Sequence, residues 1–364
     1  MMLFIALILV VLLLVQDFLL FFFIRFNFKD YSKRNVDLPM VSVLLPARNE
    51  AGTIKACLKS FESINYPPQK IEFIVGNDQS EDHTGQILRG WSNKVSNRTY
   101  VEIETRYSHL NGKANALAQM AQVANGELLL FTDADCRANE FWVEEMVSAF
   151  EPQYGLIVGV TEVVGENIFE RLQGMDWWIT LGMIKVTADL GKLLTAVGNN
   201  MLVSREAYEA IGGYESLGFS VTEDFALGQA VMEKGYHPVH QMTSRSLVYT
   251  KGEKNFFQLM RQRKRWMRGA LSLPFRWKLL LVLQALFFPA IITVLVFNIW
   301  LGGLIWLGKI WVQAAFIKKL THNCKGKVNW GELFIFEVYH LVISWSTIVY
   351  YFWPSKINWK ERRY

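Results

Sequence analysis

The sequence predicts an α/β domain on a mostly parallel, doubly wound sheet, with one membrane helix before it and two or three after it. Three observations lead there. From about residue 39 to 253, apolar runs of strand length alternate with helical patterns, and a repeated strand-then-helix order builds parallel sheets. Residues 2–24 read MLFIALILVVLLLVQDFLLFFFI, long enough to cross a hydrocarbon core of about 30 Å. Residues 279–353 are again dominated by apolar side chains.

The first segment lacks the basic start, short apolar core and small-residue cleavage site of a signal peptide, so it reads as a retained anchor. Asp17 within it is costly in lipid and is expected to face another helix. Arg25, Lys29, Lys33 and Arg34 follow at once, which places the next domain in the cytosol by the positive-inside rule. In that domain VSVLLPAR (41–48) leads to a helix near 50–63, and IEFIVGND (71–78) to one near 82–92. YVEIETR (100–106) precedes a helix near 112–124, and GELLLFTDAD (126–135) one near 139–150. Ligands of such sheets gather beyond the carboxyl ends of the strands.

Residues 254–276 are basic and amphipathic, as in a helix lying at a membrane surface. Residues 279–316 are too long for one crossing at about 1.5 Å per residue, so two spans are expected with a turn near Gly302-Gly303. Lys309 is awkward in the second span. Residues 334–353 form a third candidate, with Glu337 and His340 marking a protein-facing side. Three spans would put the basic tail 354–364 outside, against the positive-inside rule. Either one segment is re-entrant or the rule fails.

The 364-residue chain carries a net charge of +5. Its cations concentrate beside the apolar segments, where topology and anionic lipid account for them. A nucleic-acid binder would need them along an exposed face. A transporter would explain the spans, but not a domain of over two hundred residues with ordered aspartates. Cys57, Cys136 and Cys324 have no metal or disulfide spacing, which fits a reducing compartment.

Several polar residues stand at the strand ends. Asp133 and Asp135 alternate at the end of an apolar strand, so both can point the same way. Two close carboxylates call for a counter-ion, and Mg²⁺ or Mn²⁺ would bring phosphate oxygens with it. Asp78 and Asp82 follow another strand, and Asp82 is as well suited to capping the next helix. Lys113 lies near a helix N-terminus, where the dipole disfavours a cation and an anionic ligand would compensate. Asn199 and Asn200 suit a hydroxyl-rich ligand or a turn. Glu223 and Asp224 open a helix, where Asp224 could serve as a general base facing a cleft. In QRKRWMRG (262–269), helical spacing puts Gln262, Arg265, Trp266 and Gly269 on one face. That leaves Arg263, Lys264 and Arg268 for topology and lipid headgroups.

Taken in order, Asp78, Asp133-Ala134-Asp135, Thr222-Glu223-Asp224 and Gln262-Arg263-Lys264-Arg265-Trp266 resemble the motifs of the family 2 glycosyltransferases over roughly residues 41–269. PARNEAGT, NGKANAL and VGNN are similar to that family's neighbouring segments. One departure is NDQS, where the family often has DDGS. The resemblance implies a GT-A fold and an inverting hexosyl transfer from a uridine-diphosphate sugar. A retaining path would need a second, nucleophilic carboxylate.

The resemblance also implies residue roles. Pro46, Arg48, Glu50, Asp78, Lys113, Asp133 and Asp135 would bind the nucleotide sugar, with Asp135 on Mg²⁺ or Mn²⁺. Asp224 would be the base and Glu223 its orienting neighbour. Asn199, Asn200, Gln262, Arg265 and Trp266 would serve the diphosphate and the acceptor. Few spans follow the domain, which favours a single transfer to a lipid or polyprenyl-type alcohol over a small processive polysaccharide synthase. Trp359, Arg362 and Tyr364 resemble the ending of the ceramide-glucosyltransferase-like group. The expected setting is a bacterial inner membrane, with the domain facing the cytoplasm.

Overall fold

The computed structural model describes residues 1–33, 38–354, 358–359 and 362–363. Helix α1 (Met2–Phe26) leads into β1 (Val41–Ala47), α2 (Ile54–Phe61), β2 (Ile71–Asn77), α3 (Thr84–Ser92), β3 (Arg98–Glu102), α4 (Gly112–Val123) and β4 (Leu128–Thr132). Next come β5 (Arg137–Ala138), α5 (Trp142–Ser148), β6 (Leu156–Val158), β7 (Val160–Val164), α6 (Ile168–Asp189), β8 (Asn200–Ser204), α7 (Arg205–Ala210), α8 (Glu223–Glu233), β9 (Pro238–His240) and β10 (Leu247–Lys251). The chain ends with α9 (Phe256–Ala270), α10 (Phe275–Phe297), α11 (Ile299–Asn323), α12 (Trp330–Phe352), β11 (Asn358–Trp359) and β12 (Arg362–Arg363).

The main sheet has the order β3-β2-β1-β4-β8-β6-β9. Strand side chains alternate between its faces. Val41, Val43 and Leu45 pack with Leu58, Leu88 and Met146 on one side, while Leu44 meets Ala116 and Met120 in the core on the other. The parallel pairings of β1 with β2 and β4 agree with the sequence. Strand β8 departs from it, running antiparallel to both β4 and β6. The chain re-enters the sheet at the carboxyl end of β4, where Asn200 pairs with Thr132, so β8 must run backwards. That reversal carries Asn199 and Asn200 to the strand ends where the aspartates lie. A second sheet, β5-β10-β7, leads toward the membrane helices.

Four helices are long and apolar enough to cross a membrane: α1, α10, α11 and α12. Ala6, Val10 and Leu13 of α1 pack on Phe287, Ile291 and Val294 of α10. Lys309 is paired: its Nζ lies 2.7 Å from each Glu337 carboxylate oxygen and 2.7 Å from Gln313 Oε1. Asp17 faces this same pair, as its position in lipid required. The turn between α10 and α11 is at Asn298, not at Gly302-Gly303. The Asn298 side chain caps α11 by accepting from the Leu301 amide at 3.0 Å, and a polar cap ends a helix more sharply than glycines that can stay helical.

Helix α12 packs mainly on α6 and α9. Near its start, Glu332 accepts from Arg171 of α6 at 2.8 Å. At its other end, Lys264 of α9 donates to the Trp353 carbonyl at 2.7 Å. Phe334, Val338, Val342, Trp345 and Val349 form an exposed apolar stripe along it.

Candidate active site

The site forms where β1, β2 and β4 end and β8 begins. Asp78 follows β2 directly, is buried, and donates its amide to the Ala47 carbonyl at 2.9 Å. Arg48, just past β1, donates to the carbonyls of Asp78 and Gln79 at 2.9 and 2.8 Å. It therefore braces the loop that presents Asp78. Gln79 has φ 54°, a left-handed conformation that costs a side chain and suits glycine. That is the position where the resemblance has Gly. Asn77 donates to Glu102 at 2.7 Å and accepts from the Ser80 amide, so it secures the turn. Asp82 accepts from the Thr84 and Ala51 amides at 2.9 and 3.0 Å. Although burial works against it, these bonds hold its carboxyl below the ordinary value, and Asp82 is a loop staple. Glu50 receives the Thr53 hydroxyl, and its amide donates to Thr84 Oγ1 at 2.8 Å. Pro46 lies in β1 opposite Gly76.

The centre of the site is Lys113. Asn111 caps α4 by accepting from the Ala114 amide at 2.8 Å, which places Lys113 in the first turn. Its Nζ lies 2.6 Å from Asp133 Oδ1 and 3.3 Å from Glu223 Oε1. Asn111 also donates to Glu223 Oε2 at 3.0 Å. Burial disfavours the Lys113 charge, but Asp133 and Glu223 hold the ammonium well above its ordinary value. The anion that offsets the unfavourable helix position is therefore the protein's own pair of carboxylates.

Among the described residues no group of three or more His, Cys, Asp or Glu gathers as a metal cage. Asp133 is engaged by Lys113, and Asp135 lies beyond it with the Cys136 thiol 3.7 Å from Oδ1. That donor set suits a hard divalent cation held by one or two carboxylates, with phosphate oxygens and water completing it.

Asp224 opens α8. Its Oδ2 accepts from the Gly198 amide and its Oδ1 from the Phe225 amide, each at 2.8 Å. Burial first, and Glu223 second, push its carboxyl up to about 6, against the pull of Lys113 and the two amides. A carboxylate tuned toward neutrality is suited to take a proton near pH 7. A Cβ on Gly198 would stand 2.8 Å from Asp224 Cβ, so only glycine allows this approach. Asn199 Oδ1 accepts from Thr161 at 2.8 Å. Asn200 is not an acceptor ligand. It is fully buried, its amide nitrogen donates to the Val160 and Ser246 carbonyls, and its oxygen accepts from Trp142 Nε1 at 2.8 Å. With those groups taken, it ties the two sheets together.

Helix α9 closes the site from the membrane side. Gly269 packs on Thr222: a Cβ there would lie 2.5 Å from Thr222 Cγ2. On the same face Gln262 donates to Glu253 at 3.0 Å, and Trp266 meets Trp177 edge-on at 5.5 Å. Arg265 lies one turn before Gly269 and is half-buried. Two cations depart from the sequence reading. Arg263 pairs with Asp176 of α6 and lies over the Trp266 ring at 4.6 Å. Lys264 is buried and holds Trp353. Neither faces lipid headgroups, because α6 and α12 cover that side of α9; Arg268 remains exposed.

Asn111, Asp176 and Gly198 were missed in the sequence. Asn111 had a legible signal, an Asn immediately before a helix. Asp176 had none, since a lone acid on a helix reads as solvated. In the tail, the backbones of Asn358–Trp359 and Arg362–Arg363 pair antiparallel. Tyr364 and the side chains of Trp359 and Arg362 lie outside the described residues.

A family model described as Glycosyl transferase family 21 matches residues 3–364. The probable glycosyltransferase YdaM of Bacillus subtilis is 28% identical over 252 residues, 67% of this chain and 58% of that protein. The beta-monoglucosyldiacylglycerol synthase of Nostoc sp. is 24% identical over 241 residues, 64% of this chain and 49% of that one. The 4,4'-diaponeurosporenoate glycosyltransferase of Staphylococcus haemolyticus is 27% identical over 207 residues, 55% of this chain and 54% of its own. The chain thus spans about half the length of the curated relatives it matches. Among solved structures, the mannosyltransferase PcManGT from Pyrobaculum calidifontis, in complex with GDP-Man and Mn²⁺, superposes with TM-score 0.61 at 17% identity. That match covers 98% of this chain and 100% of that one. The shared architecture is the α/β GT-A fold.

Proposed function

Because the chain belongs to glycosyl transferase family 21, we propose that it moves one sugar from a uridine-diphosphate sugar to the hydroxyl of a membrane-embedded lipid, with inversion. The observation that carries this reading is the packing of Gly269 on Thr222. It sets the membrane-side helix directly against the loop that bears Asp224, so the base sits where an acceptor can arrive from the bilayer. Relatives named for glucosyldiacylglycerol synthesis and for diaponeurosporenoate glycosylation support a lipid acceptor.

In this mechanism Asp224 removes the proton of the acceptor hydroxyl while the Gly198 and Phe225 amides keep its oxygens aimed. The acceptor oxygen attacks the anomeric carbon from the face opposite the diphosphate, and the bond to the diphosphate breaks with its electron pair. Arg265, on the same face of α9 as Gly269, supplies positive charge to the departing group. Lys113 and Asn111 hold Glu223 beside the base. Asp135, with Asp133, would hold Mg²⁺ or Mn²⁺, which when bound would neutralise diphosphate charge; the Mn²⁺ of PcManGT supports that assignment.

Membranes containing the protein should be offered labelled uridine-diphosphate sugars, with guanosine-diphosphate mannose as a competing donor. Mass analysis of extracted lipids is expected to show one added hexose, lost on chelation and restored by Mn²⁺ or Mg²⁺. A long water-soluble polymer would instead identify a processive synthase. In the same assay Gly198→Ala is expected to lower turnover by up to about 10²-fold, since misplacing a catalytic group by about 1 Å has that effect. Unchanged turnover would mean that Asp224 tolerates displacement and is not the base.

The positive-inside rule assigns the catalytic domain to the cytoplasmic side, and the contacts of α12 support a tail on that same side. Its 23 residues would be about 34 Å long at about 1.5 Å per residue, so a crossing would separate its ends by a bilayer. Yet both ends bond to α6 and α9 on the catalytic side. Helix α12 therefore lies in the cytoplasmic leaflet with its apolar stripe toward acyl chains, while α1, α10 and α11 cross. The basic tail then obeys the positive-inside rule. In intact cells, a membrane-impermeant maleimide should label Asn298→Cys and not Lys360→Cys; the three native cysteines are buried. External labelling of Lys360→Cys would overturn this topology.

A further inference from the structure

Beside Glu223 lies a cavity of about 10 Å³, between the start of α4, the start of α8 and the segment from Tyr214 to Ser220. That is room for about one water. Asn111, Tyr214, Ser220 and Glu223 are its polar lining. The Tyr214 side chain is 1% exposed, with its ring edge-on to Phe131 and Tyr208. Among the described residues its hydroxyl has no hydrogen-bond partner, although buried polar groups are nearly always paired. Burial first, and the Glu223 carboxylate second, hold this phenol well above its ordinary value, so it keeps its proton and remains a donor. Glu223 receives Lys113 at Oε1 and Asn111 at Oε2, whereas a carboxylate has room for about four donors. Asn111 has nothing more to give: it also donates to the Ser220 carbonyl at 2.6 Å, and its oxygen takes the Ala114 amide.

A donor without a partner and an acceptor with room to spare thus line one water-sized cavity. A water that accepts from the first and donates to the second satisfies both. We propose that the cavity holds one ordered water bridging the Tyr214 hydroxyl to Glu223, and that Tyr214 acts through it as a positioning residue for the base. Glu223 and Asp224 are consecutive in the first turn of α8. What fixes Glu223 therefore also fixes the peptide that carries Asp224, whose oxygens must stay on the Gly198 and Phe225 amides. This rests on the reading of Asp224 as the base and deepens it.

The test compares full-length wild type with Tyr214→Phe in nanodiscs of native membrane lipid, using the most active labelled donor from the panel above. Phenylalanine keeps the ring and its aromatic contacts and removes only the hydroxyl. The variant is expected to lower kcat about tenfold, the worth of one hydrogen bond to a charged group, with donor KM unchanged. Its Tm is expected to fall by about 2–4 °C, because a satisfied buried hydroxyl is lost. A rise in Tm would show that the hydroxyl is unpaired and would overturn the proposal. So would a wild-type kcat, or equal losses of kcat and donor affinity, which would mark a purely structural role. A crystal structure of the wild type gives an independent measurement. Solvent density within hydrogen-bond distance of both Tyr214 Oη and Glu223 is expected, and a lack of it would overturn the bridge. Asp224→Asn, assayed alongside, separates this proposal from its premise. Full activity in that variant would sink the base assignment itself, whereas an inactive Asp224→Asn beside a wild-type-like Tyr214→Phe would sink only the water.

Discussion

Asp224→Asn is expected to reduce sugar transfer by about 10²–10⁴-fold, the usual worth of a positioned general base, with donor affinity nearly unchanged. Equal loss of both would show that Asp224 is structural. The two amides aimed at its oxygens make the substitution informative. Asn offers one acceptor oxygen where the carboxylate offers two, so one amide loses its partner, at a cost of about 1–3 kcal/mol. A modest fall in Tm should accompany the loss of activity. Wild-type turnover carries a matching pH signature. The base works unprotonated, and burial beside Glu223 lifts its pKa from 3.8 to about 6. Transfer should therefore fall as pH drops through about 6, whereas an unperturbed aspartate would hold its rate to about pH 4. A rate that is flat between pH 7 and 5 would exclude Asp224 as the titrating base.

Lys113→Met is expected to be the most damaging single change for stability and donor binding together. It leaves Glu223, with a side chain only 6% exposed, as a buried carboxylate without its cation. Breaking such a pair costs about 3–5 kcal/mol. Asp133 is about a third exposed, so solvent screens it and it adds little to that figure. Because Lys113 lowers the Asp224 pKa, the variant's residual activity should also need a higher pH. Gln in place of Glu223 still accepts from Asn111, so the double variant Lys113→Met/Glu223→Gln should be more stable than the sum of the single effects, as contacting residues are not additive. Additive losses, read by chemical denaturation, would mean that the 3.3 Å contact contributes nothing. Donor titration of the same proteins separates the Asp133 side of the bridge, since the double variant still lacks the cation there.

Much of this was legible because the signals are local. Strand runs ending in polar loops located β1, β2 and β4 to within a few residues, and the apolar lengths located the four long apolar helices apart from the turn at Asn298. The order of Asp78, Asp133, Asp135, Asp224 and Arg265 along the chain was sufficient for the glycosyltransferase resemblance, since each stands at an element end that periodicity marks. Gly198 was not legible. Nothing in VGNN says that a side chain there would strike Asp224 from the next segment.

What the sequence by itself determined was the set of elements and the chemistry available to them. Hydrophobic period, turn residues and carboxylate spacing are properties of neighbours along the chain. Only the tertiary structure decided which of those groups are spent inside the protein. It turned β8 around, committed Asn200 to two backbone carbonyls and a tryptophan, and gave Lys113 two carboxylates. It also took Arg263 and Lys264 into contacts with α6 and Trp353 and tied the two ends of α12 to α6 and α9. Each depends on a partner tens to more than a hundred residues away in the chain. Such pairings follow from how the core closes, because a buried polar or charged group must find its partner wherever the fold places one.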